Sequence, residues 1–286
     1  MAAPAPSLST AAFETAVTGA GVPPLEVLRW PALAALGVDA VVTTRSGGVS
    51  AGPYASLNLG LHVGDDAAAV VENRRRAAAA LGASLDDLVF ATQVHGDRAA
   101  VVAPGDAGRG ARHEDDALAA TDALVTASET PVLATLVADC SPILLVDPAA
   151  RVLATVHAGW RGTLGGVGAA TVGAMVALGA SPDRIQAVIG PTVSFARYEV
   201  GPEVVAAATE ALGGEAPGVL ARHGDRWRFD VAGANRLLLV AAGLAPGNVH
   251  LAPVATDDPR FFSDRSERPC GRFGLLARLR PAGGRS

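Results

Sequence analysis

Residues 138–162 read ADCSPILLVDPAARVLATVHAGWRG, two apolar runs separated by the turn Asp147-Pro148-Ala149-Ala150. Proline suits the second position of such a turn, and apolar runs on both sides of it make an antiparallel hairpin. With Asp147 set opposite Ala150, the pairing places Cys140 across from His157. Directly opposed residues share a sheet face with Cβ atoms ~4.5–5.5 Å apart, so a thiolate and an imidazole there could grip one ion. Pro142 has no N–H for the ladder and threatens to end the pairing short of Cys140. The plain alternative is a half-buried cysteine beside a structural histidine. His157 runs into Ala158-Gly159-Trp160-Arg161-Gly162, a glycine-rich strand-to-helix junction of the kind that offers backbone amides to anions. His95, in Gln93-Val94-His95-Gly96, also ends a strand pattern and would complete a His, Cys, His set. With no fourth candidate nearby, such a site keeps one position open, as catalytic zinc sites do.

The rest of the chain points to a mixed architecture. Strands are expected at 38–44, 88–94, 99–102, 123–126, 132–138, 143–146 and 152–157, and helices at 65–81, 164–178, 202–212 and 231–242. In the first helix Asp65 or Asp66 is the N-cap, Val70 and Val71 face inward, Glu72 and Arg76 form an i,i+4 pair, and Gly82 ends it. Residues 45–58, punctuated by Ser46, Gly47, Gly48, Ser50, Gly52 and Pro53, form a loop, as do residues 105–119. The elements are mixed without strict alternation, which predicts mixed sheets covered by helices rather than a doubly wound sheet. No glycine fingerprint or P-loop follows a strand, which excludes nucleotide binding by those devices. No internal repeat suggests a solenoid or propeller.

Half of the 286 residues are hydrophobic but only 4% are aromatic, so the core must be built from aliphatic side chains. The net charge of -5 and the lack of an arginine stripe interleaved with aromatics argue against a nucleic-acid partner and leave a small molecule. All 23 basic residues are arginine, so any cation serving a site is a guanidinium, suited to forked contact with phosphate or carboxylate. Residues 1–24 carry no basic residue and no compact apolar region, and do not read as a signal peptide. A flexible N-terminus and lead-in is expected over 1–37, with a single domain over 38–282. The uncharged stretch 162–182 is glycine-rich and reads as a packed helix rather than a membrane span. Cys140 and Cys270, the only two cysteines, make no disulfide framework and fit the cytoplasm, where both stay thiols.

With these motifs in order, the chain resembles the laccase-domain, or YfiH-like, family, also described as purine nucleoside phosphorylases and formerly as polyphenol oxidases. The resemblance is carried by TTRSGGVS at 43–50, SLNLG at 56–60, VGDD with ENRRR at 63–76, QVHG at 93–96 and TDALVT at 121–126. It continues through ADCSPILLVDP at 138–148, HAGWRG at 157–162, IGP at 190, YEVG at 198–201 and DDPRFFSDR at 257–265. It implies a zinc ion on His95, Cys140 and His157. It also implies a four-layered fold of mixed β-sheets and helices, similar to cytotoxic necrotizing factor catalytic domains. The closing loop departs from the family pattern, with Asp264 in place of a usual tyrosine and Cys270 in place of a threonine, and Ala255 stands where a cysteine is usual.

The family reaction is phosphorolysis of adenosine, inosine or guanosine to free base and ribose 1-phosphate, with adenosine deamination and methylthioadenosine phosphorolysis as companions. The expected partners are therefore a purine nucleoside and inorganic phosphate. Arg45 with Gly47 and Gly48, together with Arg161, are the phosphate candidates, while Asn58 and Gln93 are candidates for the nucleoside. Asp139 adjoins Cys140 and tempts as a carboxylate acid/base, but adjacent strand residues point to opposite faces, so it reaches the ion only if the strand has already broken. Zinc is favoured over copper because the set is one thiolate and two imidazoles without a second cluster. Three readings compete with phosphorolysis: a peptidoglycan-editing hydrolase acting on muropeptide precursors, a polyphenol oxidase, and a non-catalytic zinc-stabilised interaction module.

Overall fold

The computed structural model describes residues 8, 10–16 and 23–281. In chain order they form β1 (Ala12–Ala16), β2 (Leu25–Arg29), β3 (Val38–Thr43), α1 (Ala67–Ala79), β4 (Leu88–Val89), β5 (Ala99–Val101), β6 (Ala123–Thr126) and β7 (Val132–Val137). Next come β8 (Ser141–Asp147), β9 (Val152–Ala158), α2 (Trp160–Gly165), α3 (Val167–Ala177), β10 (Gln186–Ile189), β11 (Glu199–Val200) and α4 (Pro202–Leu212). The last elements are β12 (Leu220–His223), β13 (Arg226–Phe229), α5 (Val231–Ala241), β14 (Val249–Leu251) and β15 (Phe273–Leu279).

Two six-stranded sheets dominate, in the orders β1-β2-β3-β15-β7-β4 and β14-β10-β8-β9-β6-β5, with a small sheet β11-β13-β12 beside them. Both large sheets are mixed, because β4 runs parallel to β7, β5 to β6 and β14 to β10 while their other pairs are antiparallel. Three apolar seams hold four layers together. Between the sheets, Val42, Leu133 and Leu275 meet Leu144, Leu153 and Val188. Outside the first sheet, Val41, Leu136 and Leu276 pack on Ala77 and Ala78 of α1. Outside the second, Ile143, Val156 and Ile189 pack on Val172 and Met175 of α3 and Leu239 of α5. A strand covered on both faces needs an apolar side chain at nearly every position, which is why β8 and β9 read as continuous apolar runs and are buried throughout.

The hairpin register differs from the expected one by two residues. Asp147 pairs with Val152 and Pro142 with His157, so the loop is Pro148 to Arg151. The cause lies in the turn. The Asp147 carboxylate accepts the amides of Ala149 at 2.9 Å and Ala150 at 3.1 Å, which withdraws them from the ladder, and Arg151 closes the turn at φ 54°. A shift of two keeps every side chain on its face, so Cys140 becomes a diagonal rather than a direct neighbour of His157. Pairing ends at Ser141 with Ala158, and Cys140 lies just outside the strand.

Other expectations need correction. The lead-in expected over 1–37 contains regular structure. β1 and β2 extend the first sheet, and the 3-10 turn Pro31–Leu36 buries Leu33 and Leu36. Residues 1–7, 9 and 17–22 of that lead-in, and residue 282 of the expected domain, lie outside the described residues. The β2 run Leu-x-Val-Leu is too short to show a period beside its Pro- and Ala-rich flanks, and pairing with β3 creates it. The expected helix 164–178 is two helices, broken where Gly166 adopts φ 96°. The expected strand 88–94 stops at Val89, because the amides of Phe90 and Thr92 turn to the carbonyls of Arg109 and Leu118 in the following loop. α1 keeps its Asp66 cap and its Glu72–Arg76 pair, though Val70 is buried and Val71 only partly so. No helix among the described residues is long and apolar enough to cross a membrane.

Candidate metal centre and its cavity

His95, Cys140 and His157 come from three separate places in the chain and converge, their ligand atoms all within 4.8 Å of one another. His157 sits near the end of β9. Cys140 is delivered by the break between β7 and β8, where Asp139 takes φ 85°. His95 ends the irregular run after β4 at φ 61°. Cys140 Sγ lies 3.8 Å from His95 Nε2, close to the ~3.6 Å that two ligands at ordinary zinc distances subtend around a tetrahedral ion.

One buried carboxylate organises two of the three ligands. Asp122 immediately precedes β6, and its Oδ1 accepts the His95 amide at 2.9 Å and His157 Nδ1 at 2.8 Å. Its Oδ2 accepts the amides of Val94 at 3.2 Å and Gly96 at 2.8 Å. Four donors thus fix the His95 loop and the His157 ring together. Because the carboxylate can only accept, Nδ1 of His157 carries the proton and Nε2 is left as the ligand atom. Burial alone would raise the Asp122 carboxyl, but the His157 hydrogen bond and the amides outweigh it and hold it below its ordinary value.

The thiol and the imidazole bias one another in the same way. Burial would push Cys140 up, yet the charge of His157 and the hydrogen bonds of both histidines bring it down. Burial would lower His157, yet the Cys140 thiolate and Asp122 raise it. A thiolate is the metal-binding form of cysteine, so the lowered Cys140 is in the state a cation requires, whereas the raised His157 ring must give up its Nε2 proton to bind one. Gly159 completes the cradle: a Cβ there would stand 2.8 Å from His95 Cδ2 and 2.9 Å from Cys140 Sγ. The donor set and the space it leaves fit one metal ion.

The three ligands line the wall of a cavity of about 610 Å³. Of the residues singled out from sequence, Gln93, Asp139 and Arg161 also line it, and Arg45, Gly47, Gly48 and Asn58 do not. Arg45 turns elsewhere. It donates to Ala55 O at 3.1 Å and pairs with Glu267 at 3.0 Å, with its guanidinium 4.7 Å from the Phe262 ring centroid. Asn58 is fully buried and donates to Asp65 and Gly60 while accepting the amides of Gly60 and Arg272. Gly47 and Gly48 serve the packing of the 45–58 loop, where a Cβ on Gly48 would fall on the Ser56 carbonyl. Gln93 brackets β7, donating to Leu136 O at 2.7 Å and accepting Leu136 N at 2.8 Å. The Asp139 carboxylate is satisfied by Thr256, Ser263 and the Arg265 amide, and so ties the 256–265 segment to the site instead of joining the His95, Cys140, His157 set. Cys270 is buried away from the ligands beside Arg272.

Sequence reading missed Asp122, Tyr198 and Arg265. Asp122 stands in the TDALVT motif, but its contact with His157 depends on β6 pairing with β9, a non-local event that no local pattern records.

The family model described as multi-copper polyphenol oxidoreductase laccase matches residues 39–280. The chain belongs to that family. A purine nucleoside phosphorylase of Deinococcus radiodurans is 45% identical over 255 residues, 89% of this chain and 92% of its own length. The adenosine deaminase RL5 of an unknown prokaryotic organism is 40% identical over 214 residues, 74% of this chain and 82% of its own. The crystal structure of YlmD from Geobacillus stearothermophilus superposes with a TM-score of 0.87 at 35% identity, covering 96% of this chain and 100% of that one. Relatives in this laccase family are thus named for nucleoside chemistry, which makes a nucleoside-processing enzyme the supported class, and its fold is shared with a solved member.

Proposed function

We propose that this chain is a zinc-dependent purine nucleoside phosphorylase that takes adenosine, inosine or guanosine, and methylthioadenosine, to free base and a sugar 1-phosphate. The observation that carries this reading is the His95, Cys140, His157 set opening onto a cavity large enough for a nucleoside and lined by five arginines. One thiolate with two imidazoles suits zinc, and the three leave room for a fourth ligand. Bound there, zinc would supply a Lewis acid at the cavity wall. Asp122 holds the His157 ring and the His95 loop in register for it, and Asp139 holds the 256–265 segment that forms part of the wall. In the reaction a phosphate oxygen bonds to C1′ as the bond from C1′ to the purine nitrogen breaks. The bonding pair leaves on the purine, which takes up a proton. A reducing compartment such as the cytoplasm keeps Cys140 in the form this site needs.

Adenosine deamination is a second reading, favoured by the relative named adenosine deaminase. It calls for a carboxylate as proton carrier, and of the three cavity acids Asp139 is saturated by three donors and Asp264 pairs with Arg268 and Arg272, which leaves Glu114. The test is product analysis on zinc-loaded protein with adenosine, with and without phosphate. Phosphate-dependent adenine and ribose 1-phosphate support phosphorolysis, inosine with intact ribose supports deamination, and free ribose released without phosphate refutes phosphorolysis.

A further inference from the structure

The five cavity arginines differ in how far their donors are committed. Arg74 is buried and donates to the carbonyl oxygens of Leu59, Gly110 and Ala111. Arg268 and Arg272 both pair with Asp264, and Arg272 also donates to the carbonyls of Cys270 and Gly271. These three serve the wall itself. Arg161 has no hydrogen-bond or ion-pair partner among the described residues, and its guanidinium lies 4.3 Å from the Trp160 ring centroid, which restrains it without occupying its N–H groups. Arg265 commits Nη2 to Glu199 O at 2.8 Å and lies 5.3 Å from the Tyr198 ring centroid, with the rest of its fork left over.

Tyr198 links the two. It lines the same cavity as both arginines and Cys140, with its ring centroid 5.3 Å from the Arg265 guanidinium. A phenol is protonated through the neutral range, and burial only pushes Tyr198 further up, so its hydroxyl is a donor. The free guanidinium of Arg161, the uncommitted donors of Arg265 and the Tyr198 hydroxyl thus all belong to the wall of the cavity that holds Cys140. A tetrahedral oxyanion is the ligand that such a set matches, since a guanidinium pairs two oxygens at once and phosphate has oxygens to spare.

We propose that Arg161, Arg265 and the Tyr198 hydroxyl form the pocket that takes inorganic phosphate, and that Arg45 has no part in it. This rests on the phosphorolysis reading above. Arg45 is excluded by its place, since its fork faces Glu267 and Ala55 outside the cavity.

The test measures the phosphate KM at saturating adenosine, and binding of inorganic phosphate by calorimetry, on zinc-loaded wild type and four variants. Arg161→Ala should raise the phosphate KM roughly ten- to a hundredfold with the adenosine KM little changed, as expected for loss of hydrogen bonds to a charged ligand. Arg161→Lys should fall between it and wild type, because an ammonium keeps the charge and loses the fork. Tyr198→Phe should raise the phosphate KM by about fivefold. Arg45→Ala should leave it unchanged. Melting temperature and zinc content show which variants keep their fold. An unchanged phosphate KM in Arg161→Ala, or a raised one in Arg45→Ala, overturns the pocket while leaving phosphorolysis intact. Loss of cleavage of adenosine 5′-monophosphate with an unchanged phosphate KM would also overturn it, by assigning Arg161 to a nucleotide's own phosphate. A wild type that releases base equally fast without phosphate overturns the phosphorolysis reading itself.

Discussion

Replacing Asp122 by alanine removes the carboxylate that accepts from Val94, His95 and Gly96 amides and from His157 Nδ1. The side chain is fully buried, and of its donors the His157 ring is buried while the three amides are part-buried. The orphaned His157 donor is buried and costs about 1 kcal/mol or more, while the three part-buried amides cost less each, which places the loss of stability at about 2–3 kcal/mol. The effect on the metal should be separable from that loss. With Nδ1 of His157 unsupported, the ring loses its fixed tautomer and direction, and metal affinity should fall about 10- to 100-fold. Asp122→Asn is the sharper variant. It keeps the shape but must turn an NH2 group toward either the backbone amides or His157, so some destabilisation and weaker metal binding should both persist. Zinc competition against a chelator of known affinity reads the metal term, and denaturant unfolding of the metal-free protein reads the fold term. Wild-type zinc affinity in a folded Asp122→Asn protein would refute the idea that this carboxylate orients the site.

Three further outcomes are expected. Cys140→Asp should keep partial zinc binding while Cys140→Ala loses metal and turnover together, as elemental analysis with activity will show. Full zinc in a dead Cys140→Ala would instead make the thiol a nucleophile. Gly159→Ala should impair the site out of proportion to the fold, because the new methyl displaces His95 and Cys140, with zinc affinity down about tenfold and a melting temperature near wild type. Asp147 sets an acid limit: burial would raise its carboxyl, but Arg184 and the Ser181, Ala150 and Ala149 amides hold it below its ordinary value. Its contribution is present above the unfolded value of ~3.9 and is lost as pH falls through the lower folded value, so Asp147→Asn should flatten stability against pH in that acid range. Denaturant midpoints across that range check it, and an unaltered pH slope would count against the assignment.

The convergence of His95, Cys140 and His157 was legible in the sequence because their chemistry is rare and their chain positions are distinctive. One thiol and two histidines at strand ends, with glycines beside them, admit few other uses. The face shared by Cys140 and His157 survived even a register error, since a shift of two residues preserves the side of a sheet. The α1 cap and the mixed-sheet pattern were equally local, set by Asp66 and by apolar runs that need two covered faces. The environment of those ligands was not legible. Asp122 meets His157 only because β6 pairs with β9, and Arg161, Arg265 and Tyr198 meet only across a cavity whose wall the 256–265 segment completes. Arg45 shows the converse: its glycine-rich loop has the composition of an anion site, but tertiary packing aims its fork at Glu267. Composition and period act over a few residues and so determine which side chains are available and which face they share. Which of them point at one another depends on contacts between segments far apart in the chain, and only the folded structure decides that.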